Sequence, residues 1–387
     1  MNKFIPLYEP YFVKKDKKII SKCLDDNWVS TSGPLVEKFE QEIVKQTKCR
    51  YAVACSSGTA ALHLALIGIG IKKNDLVLVS NLTFIASVNV IKYVGAEPIL
   101  FDCDKETWQI DEKLIQNFLE NECYTKSGSC FYKKTKQRIG AILPVHILGH
   151  TTQIDKIVKL GVKFKIPTIE DAAESFGAKF KKKQLGSFGK VGCFSFNGNK
   201  IITTASGGVV VTNQKSLAKK IKHFSQQAKS SKIDYIHNQI GFNYRMNNLC
   251  ASLGLTQLEK LDFFIKQKEK IANIYIEGFK KNKFVNLIKQ IKFSKPNWWL
   301  FTILINHEKI DAKKMYKKLL ENGIQTRRLW QPMNLSIPYK NCIMIGANNS
   351  FNLYKNALSL PSSVSLKNKE QMKIIKLINY FLINSVK

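Results

Sequence analysis

A single lysine in a turn of small residues is the side chain of this protein best suited to act as a nucleophile. Lys200 follows an apolar stretch at residues 191–196 and the tripeptide Asn197-Gly198-Asn199. A neutral lysine amine can attack a carbonyl carbon, and lysines avoid buried surroundings unless they have a partner or a task. A lysine exposed on a turn would give the same pattern, and the chain contains 61 lysines and arginines. Lys200 alone therefore does not decide the chemistry.

A second segment could hold a phosphate group. The run Ser56-Ser57-Gly58-Thr59 stands between a predicted strand and a predicted helix. The free N–H groups and the positive dipole end of a helix N-terminus favour a phosphate there. Serine and threonine also serve as ordinary helix caps, so a structural role fits equally well. The spacing matches neither a Walker loop nor a dinucleotide-binding fingerprint.

A third segment places carboxylates at the end of a predicted buried strand. Glu170, Asp171 and Glu174 follow the apolar residues 167–169. Open α/β sheets bind their ligands at the carboxyl ends of strands, which is where we expect Asp171. The same carboxylates could instead cap the next helix.

Alternating strands and helices must position these three segments. Apolar runs of strand length occur at residues 51–55, 76–80, 98–101, 139–145, 167–169, 191–196 and 208–212. Helical spacing occurs at residues 59–69, 84–94, 111–119 and 154–160. This alternation predicts an α/β fold with a mostly parallel sheet that is covered by helices on both faces. Residues 121–138 break the rhythm and are predicted to form a surface excursion.

The rest of the chain predicts a smaller α+β domain. Residues 249–279 lack proline and predict one long helix that bridges two domains. Further strand and helix patterns follow at residues 298–305, 312–320 and 372–381. A chain of 387 residues exceeds the usual size of one core. We therefore expect a large domain at residues 1–260 and a small domain at residues 261–387.

Composition restricts the class of protein. The net charge is +32, but the lysines are scattered and no aromatic nucleic-acid-binding segment accompanies them, so we predict a solvated surface and no nucleic-acid partner. Nine cysteines without a CxxC pair predict reduced thiols in the cytoplasm. Residues 1–10 have no apolar stretch long enough for a signal peptide, and the longest apolar run, residues 60–71, is too short for a membrane span. His146 and His150 are separated by Gly149, so a helical metal-binding pair is not predicted.

The order of the phosphate segment, Asp171 and Lys200 resembles that of fold-type-I enzymes that use pyridoxal phosphate (PLP). Over essentially its whole length the sequence resembles the DegT/DnrJ/EryC1/StrS family of nucleotide-sugar aminotransferases. The motifs most similar to the 4-aminotransferases of the bacillosamine, legionaminic acid and perosamine pathways are Asn27-Trp28-Val29-Ser30, Pro144-Val145-His146-Ile147-Leu148-Gly149-His150 and Trp330-Gln331-Pro332. The resemblance implies a large domain with a mostly parallel seven-stranded sheet and a smaller C-terminal α+β domain.

The resemblance also implies which residues bind PLP. Lys200 matches the lysine that bonds to the cofactor and later moves a proton, and Asp171 matches the carboxylate that pairs with the pyridine nitrogen. Phe84 matches the aromatic residue stacked on the ring. Asn243 lies in a loop that in the family reaches the neighbouring subunit. The implied cofactor-binding residues are Ser57, Gly58, Thr59, Phe84, Asp171, Glu174, Ser195, Lys200 and Asn243.

The family's substrate contacts fall on three stretches of this sequence. The implied substrate-binding residues are Trp28, Val29, Ser30, Thr31, Arg245, Arg327, Arg328, Leu329 and Trp330. Arg328 stands where the family pattern leads us to expect a proline, which affects the predicted backbone shape and the choice of sugar. The resemblance further implies a homodimer whose subunits share their active sites, with no membrane partner.

The reaction implied by the resemblance is a two-stage amino transfer. L-glutamate converts PLP to pyridoxamine phosphate, which then aminates C4 of a nucleoside-diphosphate 4-keto-6-deoxy sugar. The expected acceptor is a UDP-2-acetamido-2,6-dideoxy-4-keto-hexose of surface-polysaccharide or nonulosonic acid biosynthesis, and the alternative is the GDP-4-keto-6-deoxymannose of a perosamine synthase. A first alternative is a relative that uses pyridoxamine phosphate to dehydrate a sugar. Such enzymes have a histidine at the position where this chain has Lys200. A rival of another class is a regulatory or nucleic-acid-binding protein that reuses the fold.

Overall fold

The computed structural model describes residues 4–231 and 233–384. Over these ranges the helices are α1 (Lys14–Asp25), α2 (Pro34–Thr47), α3 (Gly58–Ile69), α4 (Ala86–Tyr93), α5 (Glu112–Asn121), α6 (Ile154–Lys163), α7 (Lys215–Ser225), α8 (Asn248–Leu258), α9 (Leu261–Phe279), α10 (Ala312–Glu321), α11 (Asn349–Asn356) and α12 (Asn368–Asn384). Single 3₁₀ turns lie at Ile147–Gly149, Met333–Leu335 and Ile337–Tyr339.

The strands of the same ranges form one large sheet and several smaller ones. They are β1 (Tyr51–Cys55), β2 (Leu76–Ser80), β3 (Glu97–Phe101), β4 (Cys123–Lys126), β5 (Ser129–Tyr132), β6 (Ile139–Leu143), β7 (Ile169–Asp171), β8 (Lys179–Phe180), β9 (Lys183–Gln184), β10 (Val191–Ser195), β11 (Gly208–Thr212), β12 (Val285–Leu287), β13 (Ser294–Lys295), β14 (Phe301–Ile305), β15 (Arg327–Arg328), β16 (Ile343–Ile345) and β17 (Ala357–Leu360).

The large sheet has the strand order β1-β11-β10-β7-β6-β2-β3-β16. Its two halves meet where Ile142 pairs with Thr168 and Val145 pairs with Asp171. All neighbours are parallel except at β11, which is antiparallel to both β1 and β10. The predicted mostly parallel α/β sheet is confirmed. Its seven predicted strands are all present, and β16, from the C-terminal part of the chain, adds an eighth beside β3.

Helices cover both faces of this sheet, as the alternation of buried side chains requires. Val77 and Val79 of β2 belong to the same apolar cluster as α3, whereas Leu76 and Leu78 face a second cluster that includes α5 and α6. Successive side chains of a strand point to opposite faces. Because both faces are buried, the strand reads as a continuous apolar run rather than as an alternating pattern.

The predicted helix at residues 249–279 is in fact two helices. Helix α8 ends at Leu258 and α9 begins at Leu261. Lys260 lies in the turn between them, and its Nζ contacts Oδ1 of the buried Asp16 at 2.6 Å. This ion pair with α1 lies at the break, and residues 258–261 contain neither glycine nor proline to signal it. The predicted domain boundary between residues 260 and 261 falls at this turn and stays a prediction.

A hairpin and a second, smaller sheet lie outside the large sheet. The predicted surface excursion at residues 121–138 contains the antiparallel hairpin of β4 and β5, with Cys123 and Cys130 buried. Strands β12, β14, β17 and β15 form a separate antiparallel sheet, against which α10 packs. None of the helices in the described ranges is long and apolar enough to cross a membrane.

Candidate active site

A cavity of about 220 Å³ opens at the carboxyl ends of β7 and β10, which end at Asp171 and Ser195. We call it the Lys200 cavity. The residues that line it are Ser57, Gly58, Thr59, Leu62, Thr83, Phe84, Ala86, Ser87, Val145, Asp171, Ala173, Glu174, Ser195, Asn197, Asn199, Lys200, Trp299, Arg327 and Trp330. The cavity therefore contains the three chemically informative segments of the sequence.

The N-terminus of α3 forms one wall. Oγ of Ser57 accepts a hydrogen bond from the backbone N–H of Ala60 at 3.0 Å, so Ser57 is a true N-cap. A Cβ at Gly58 would lie 2.7 Å from Cβ of Ser195, so glycine is needed for the helix to approach β10 this closely. The helix dipole and the free N–H groups of the first turn make this wall favourable for a phosphate.

Asp171 is a buried carboxylate held by two donors. The hydroxyl of Ser87 donates to Oδ2 at 2.7 Å, and the N–H of Ala173 donates to Oδ1 at 3.1 Å. Burial raises the pKa of Asp171, while these hydrogen bonds and the charge of Lys200 oppose the rise. A carboxylate in such surroundings is stabilised by a cationic partner, and a protonated pyridine nitrogen has the required charge.

Lys200 lines the same cavity as the N-terminus of α3. Its Nζ is 3.6 Å from Oε1 of Glu174 and 4.2 Å from the centroid of a ring of Trp299. The turn that carries it is closed by a hydrogen bond from the N–H of Lys200 to the carbonyl of Asn197 at 2.9 Å. Only 13% of the Lys200 side chain is exposed, so the amine points into the protein and not into solvent.

Glu174 is the titratable neighbour of Lys200. Its Oε2 accepts the N–H of Leu148 at 2.8 Å. Burial raises the pKa of Glu174 to about 7, and the charge of Lys200 partly opposes that rise. Both protonation states of this carboxyl are therefore accessible near neutral pH.

The raised pKa of Glu174 predicts a pH-dependent stability of the apoprotein. A carboxyl that binds its proton more tightly in the folded state stabilises the fold at low pH and loses that contribution as pH rises. The free energy of unfolding of wild type relative to Glu174→Gln should thus fall between pH 4.5 and about 7, by roughly 3 kcal/mol. Denaturant titrations at several pH values measure this difference, and a flat difference would contradict the assignment.

Most of the predicted cofactor residues meet in one place. Ser57, Gly58, Thr59, Phe84, Asp171, Glu174, Ser195 and Lys200 all line the Lys200 cavity. Asn243 does not, and it is exposed. The roles of these residues toward PLP stay predictions.

The predicted substrate residues are divided between several places. Arg327 and Trp330 line the Lys200 cavity. Arg328 points elsewhere, because its Nη2 donates to the carbonyl of Tyr354 at 3.1 Å and its guanidinium lies 4.5 Å from the Tyr354 ring centroid. Leu329 is buried in the apolar core. Neither Arg328 nor Leu329 lines the cavity. For Arg328 this follows from its place in the strand, since neighbouring residues of a strand face opposite sides.

The N-terminal group of predicted substrate residues also lies outside the Lys200 cavity. Trp28 and Val29 are each 45% exposed, and the carbonyl of Ser30 accepts a hydrogen bond from Asn248. Thr31 and Arg245 line a different cavity of about 330 Å³. The roles of these residues toward a sugar stay predictions.

Among the residues that line or support the cavity and were not predicted from the sequence, four make informative polar contacts or lack one. Ser87 holds Asp171, and Asn199 has a buried Oδ1 that lacks a hydrogen-bond partner within the described ranges. The indole N–H of Trp299 donates to the carbonyl of Asn199 at 2.6 Å, and the hydroxyl of Tyr8 donates to the carbonyl of Lys200 at 2.5 Å. For Trp299 the sequence offered one signal, the adjacent pair Trp298 and Trp299, because a buried tryptophan usually needs a hydrogen-bond partner for its indole N–H.

The residues present fit PLP. A helix N-terminus suits the phosphate, the buried Asp171 suits a protonated ring nitrogen, and the amine of Lys200 suits the aldehyde. The unpaired Oδ1 of Asn199 offers one more polar atom to a bound group. In the described ranges no group of three or more His, Cys, Asp or Glu could hold a metal ion. His146 instead pairs with the buried Glu170 at 2.9 Å.

Comparison with known proteins agrees with this geometry. The sequence model of the DegT/DnrJ/EryC1/StrS aminotransferase family matches residues 10–379. The chain is 39% identical over 379 residues to a GDP-perosamine synthase of Escherichia coli O157:H7, covering 98% of this chain and 99% of the relative. It is 32% identical over 378 residues to a UDP-4-amino-4,6-dideoxy-N-acetyl-beta-L-altrosamine transaminase of Campylobacter jejuni, covering 97% and 96%.

Solved structures show the same fold. A DegT DnrJ EryC1 StrS aminotransferase from Brucella abortus superposes with a TM-score of 0.87 at 26% identity, covering 95% of each chain. The resemblance found in the sequence motifs is therefore confirmed. The chain belongs to the DegT/DnrJ/EryC1/StrS aminotransferase family, whose members depend on PLP.

Proposed function

We propose that this enzyme transfers an amino group from L-glutamate to C4 of a nucleoside-diphosphate 4-keto-6-deoxy sugar. The observation that carries the proposal is the Lys200 cavity, which is lined together by a lysine amine, a buried aspartate and a helix N-terminus. The family membership of the chain and the names of its relatives support the reaction class.

Each group of the cavity takes one role in this proposal. PLP, when bound, supplies an electron sink for the carbon that loses its proton. Asp171 keeps the proton on the pyridine nitrogen, and the N-terminus of α3 binds the phosphate. Lys200 accepts a proton at Nζ and returns it. The carboxyl of Glu174, whose Oε1 lies 3.6 Å from Nζ, can stabilise the charged form of the amine.

Two acceptors are supported by different relatives. The 39% identical relative is named a GDP-perosamine synthase, which favours GDP-4-keto-6-deoxymannose. The 32% identical relative is named for a UDP-linked N-acetylated amino sugar, which favours UDP-2-acetamido-2,6-dideoxy-4-keto-hexose. A net charge of +32 is compatible with either anionic nucleotide sugar.

A panel of substrates tests the proposal. The purified enzyme is incubated with L-glutamate and each 4-keto sugar, linked to GDP or UDP, with or without the 2-acetamido group, and products are identified by mass spectrometry. We expect one of the two named acceptors to gain an amine, with 2-oxoglutarate formed in equal amount. Formation of a dehydrated sugar, or of no product with any keto sugar, would contradict the proposal.

We further propose a homodimer in which each active site uses residues of both subunits. Asn243 is exposed and is therefore available to a second copy, and neither Asn243 nor Arg245 lines the Lys200 cavity of its own chain. Mixing inactive Lys200→Ala chains with inactive Asn243→Ala chains should restore activity, because one site of each mixed dimer is then free of lesions. With random pairing, about a quarter of the wild-type sites should return.

The matched control mixes Lys200→Ala with Asp171→Asn chains. These two residues line the same cavity of one chain, so every site in that mixture retains a lesion. Subunit exchange is verified in both mixtures with differently tagged chains. No recovery with Asn243→Ala, despite exchange, would show that Asn243 acts within its own subunit.

A further inference from the structure

One lysine is fully buried outside the Lys200 cavity. Lys268, on α9, is 1% exposed, and within the described ranges no carboxylate forms an ion pair with it. Its Nζ donates hydrogen bonds to the carbonyl oxygens of Trp299, at 2.9 Å, and of Ser362. It also lies 4.5 Å from the ring centroid of Tyr8. Burial of a lysine amine costs free energy unless the amine is hydrogen-bonded or has a task in the protein.

Both aromatic neighbours of Lys268, Tyr8 and Trp299, contact the turn that carries Lys200. The ring of Trp299 packs over Nζ of Lys200, and its indole N–H donates to the carbonyl of Asn199. The hydroxyl of Tyr8 donates to the carbonyl of Lys200 itself. Two residues that contact Lys268 thus donate hydrogen bonds to the turn.

The third partner of Lys268 connects it to the N-terminal segment. The N–H of Ser362 donates to the carbonyl of Leu7 at 2.8 Å, next to Tyr8. Lys268 therefore joins three segments that are far apart in the sequence: residues 7–8, residue 299 and residue 362. An apolar side chain of the same length could fill the space but could not donate to two carbonyls.

We propose that Lys268 is a positioning residue for Lys200, acting through Tyr8 and Trp299 to hold the amine of Lys200 where it meets the cofactor. The inference rests on the proposed function in one respect, namely that Lys200 is the residue bonded to PLP. Lys268 does not touch the cavity, and its effect is geometric.

The protonation of the two buried groups is consistent with this role. Burial lowers the pKa of Lys268 well below its usual value, yet both the neutral and the charged amine have the two N–H groups that the carbonyls require. Burial raises the pKa of Tyr8, which keeps the proton on the hydroxyl that donates to Lys200. Positional shifts of about 1 Å at a reacting group can reduce rates by about 100-fold.

The test follows the bond between Lys200 and PLP rather than turnover alone. Wild type and Lys268→Met, both as folded apoproteins, are mixed with PLP, and the rate of bond formation is measured by visible absorbance. The bonded residue is identified by mass spectrometry after borohydride reduction. We expect Lys268→Met to form the bond at least about tenfold more slowly and to lose kcat with little change in KM for the sugar.

Three further variants make the result decisive. Lys270 is an exposed residue of the same helix, and the Lys270→Met variant should behave as wild type. Tyr8→Phe keeps the ring over Lys268 but removes the hydroxyl, and Trp299→Phe removes the indole donor. Both should slow bond formation, and the effect of Tyr8→Phe should be smaller in the Lys268→Met background than in wild type.

A wild-type rate of bond formation in folded Lys268→Met would overturn the inference. If Lys268→Met does not fold, the decision passes to Tyr8→Phe combined with Trp299→Phe, and an unchanged rate in that double variant overturns it. Failure of the proposed function looks different, since borohydride would then trap PLP on a residue other than Lys200 in wild type.

Discussion

Replacement of Lys200 by alanine is expected to lower kcat/KM for amino transfer by at least about 10⁴-fold. In the proposed function the Lys200 amine, which lines the cavity, is both the nucleophile and the group that moves a proton. Its loss therefore removes two functions from one position. The measurement is 2-oxoglutarate formation with saturating PLP and the preferred keto sugar.

The control for this variant is Lys190→Ala. Lys190 is exposed and precedes β10, the strand that leads to the Lys200 turn, so it tests for a general effect of removing a lysine nearby. It should keep wild-type activity. Activity of Lys200→Ala within about tenfold of wild type would show that another residue performs the chemistry.

The second large effect is expected from Asp171→Asn, which should reduce kcat by roughly 10³-fold. Asparagine has the same shape, and its carbonyl oxygen can still accept from Ser87 or Ala173. It lacks the negative charge that keeps a proton on the pyridine nitrogen. The fold should therefore survive while the chemistry is lost, which circular dichroism and single-turnover reaction with L-glutamate together can show.

A matched control replaces a carboxylate outside the cavity. Asp155→Asn in α6 removes the ion pair with Lys181 and should leave the rate unchanged. A near wild-type rate for Asp171→Asn would reduce Asp171 to a structural partner of the Ala173 N–H. An intermediate loss in Ser87→Ala would support the hydrogen bond at 2.7 Å as the feature that orients the carboxylate.

Local sequence determined the strands and the chemically informative segments. Strands β1, β2 and β11 begin and end at the residues predicted, because short apolar runs bounded by polar or glycine-containing turns specify a strand buried on both faces. The positions of Asp171 at the end of β7, of Lys200 in the turn after β10, and of Gly58 at the start of α3 follow from the same pattern.

The split of residues 249–279 into α8 and α9 was decided by the tertiary structure. At the break, Lys260 forms an ion pair with Asp16, which is 244 residues away in the sequence. The eighth strand, β16, likewise becomes a strand by pairing with β3 across more than 200 residues. Periodicity reports only which face of an element is buried, and it contains no information about distant partners.

The surroundings of Lys200 were also decided by the tertiary structure. The sequence placed this lysine in a turn but did not show that Tyr8, 192 residues earlier, and Trp299, 100 residues after Asn199, would hold that turn. It gave Arg327 and Arg328 equal standing, whereas the pairing of β15 with β17 brings only Arg327 to the cavity. The sequence by itself determined the reactive side chains and the elements that carry them. Their burial, hydrogen bonds and charged neighbours were set only when distant segments packed together, because these depend on contacts that local sequence does not encode.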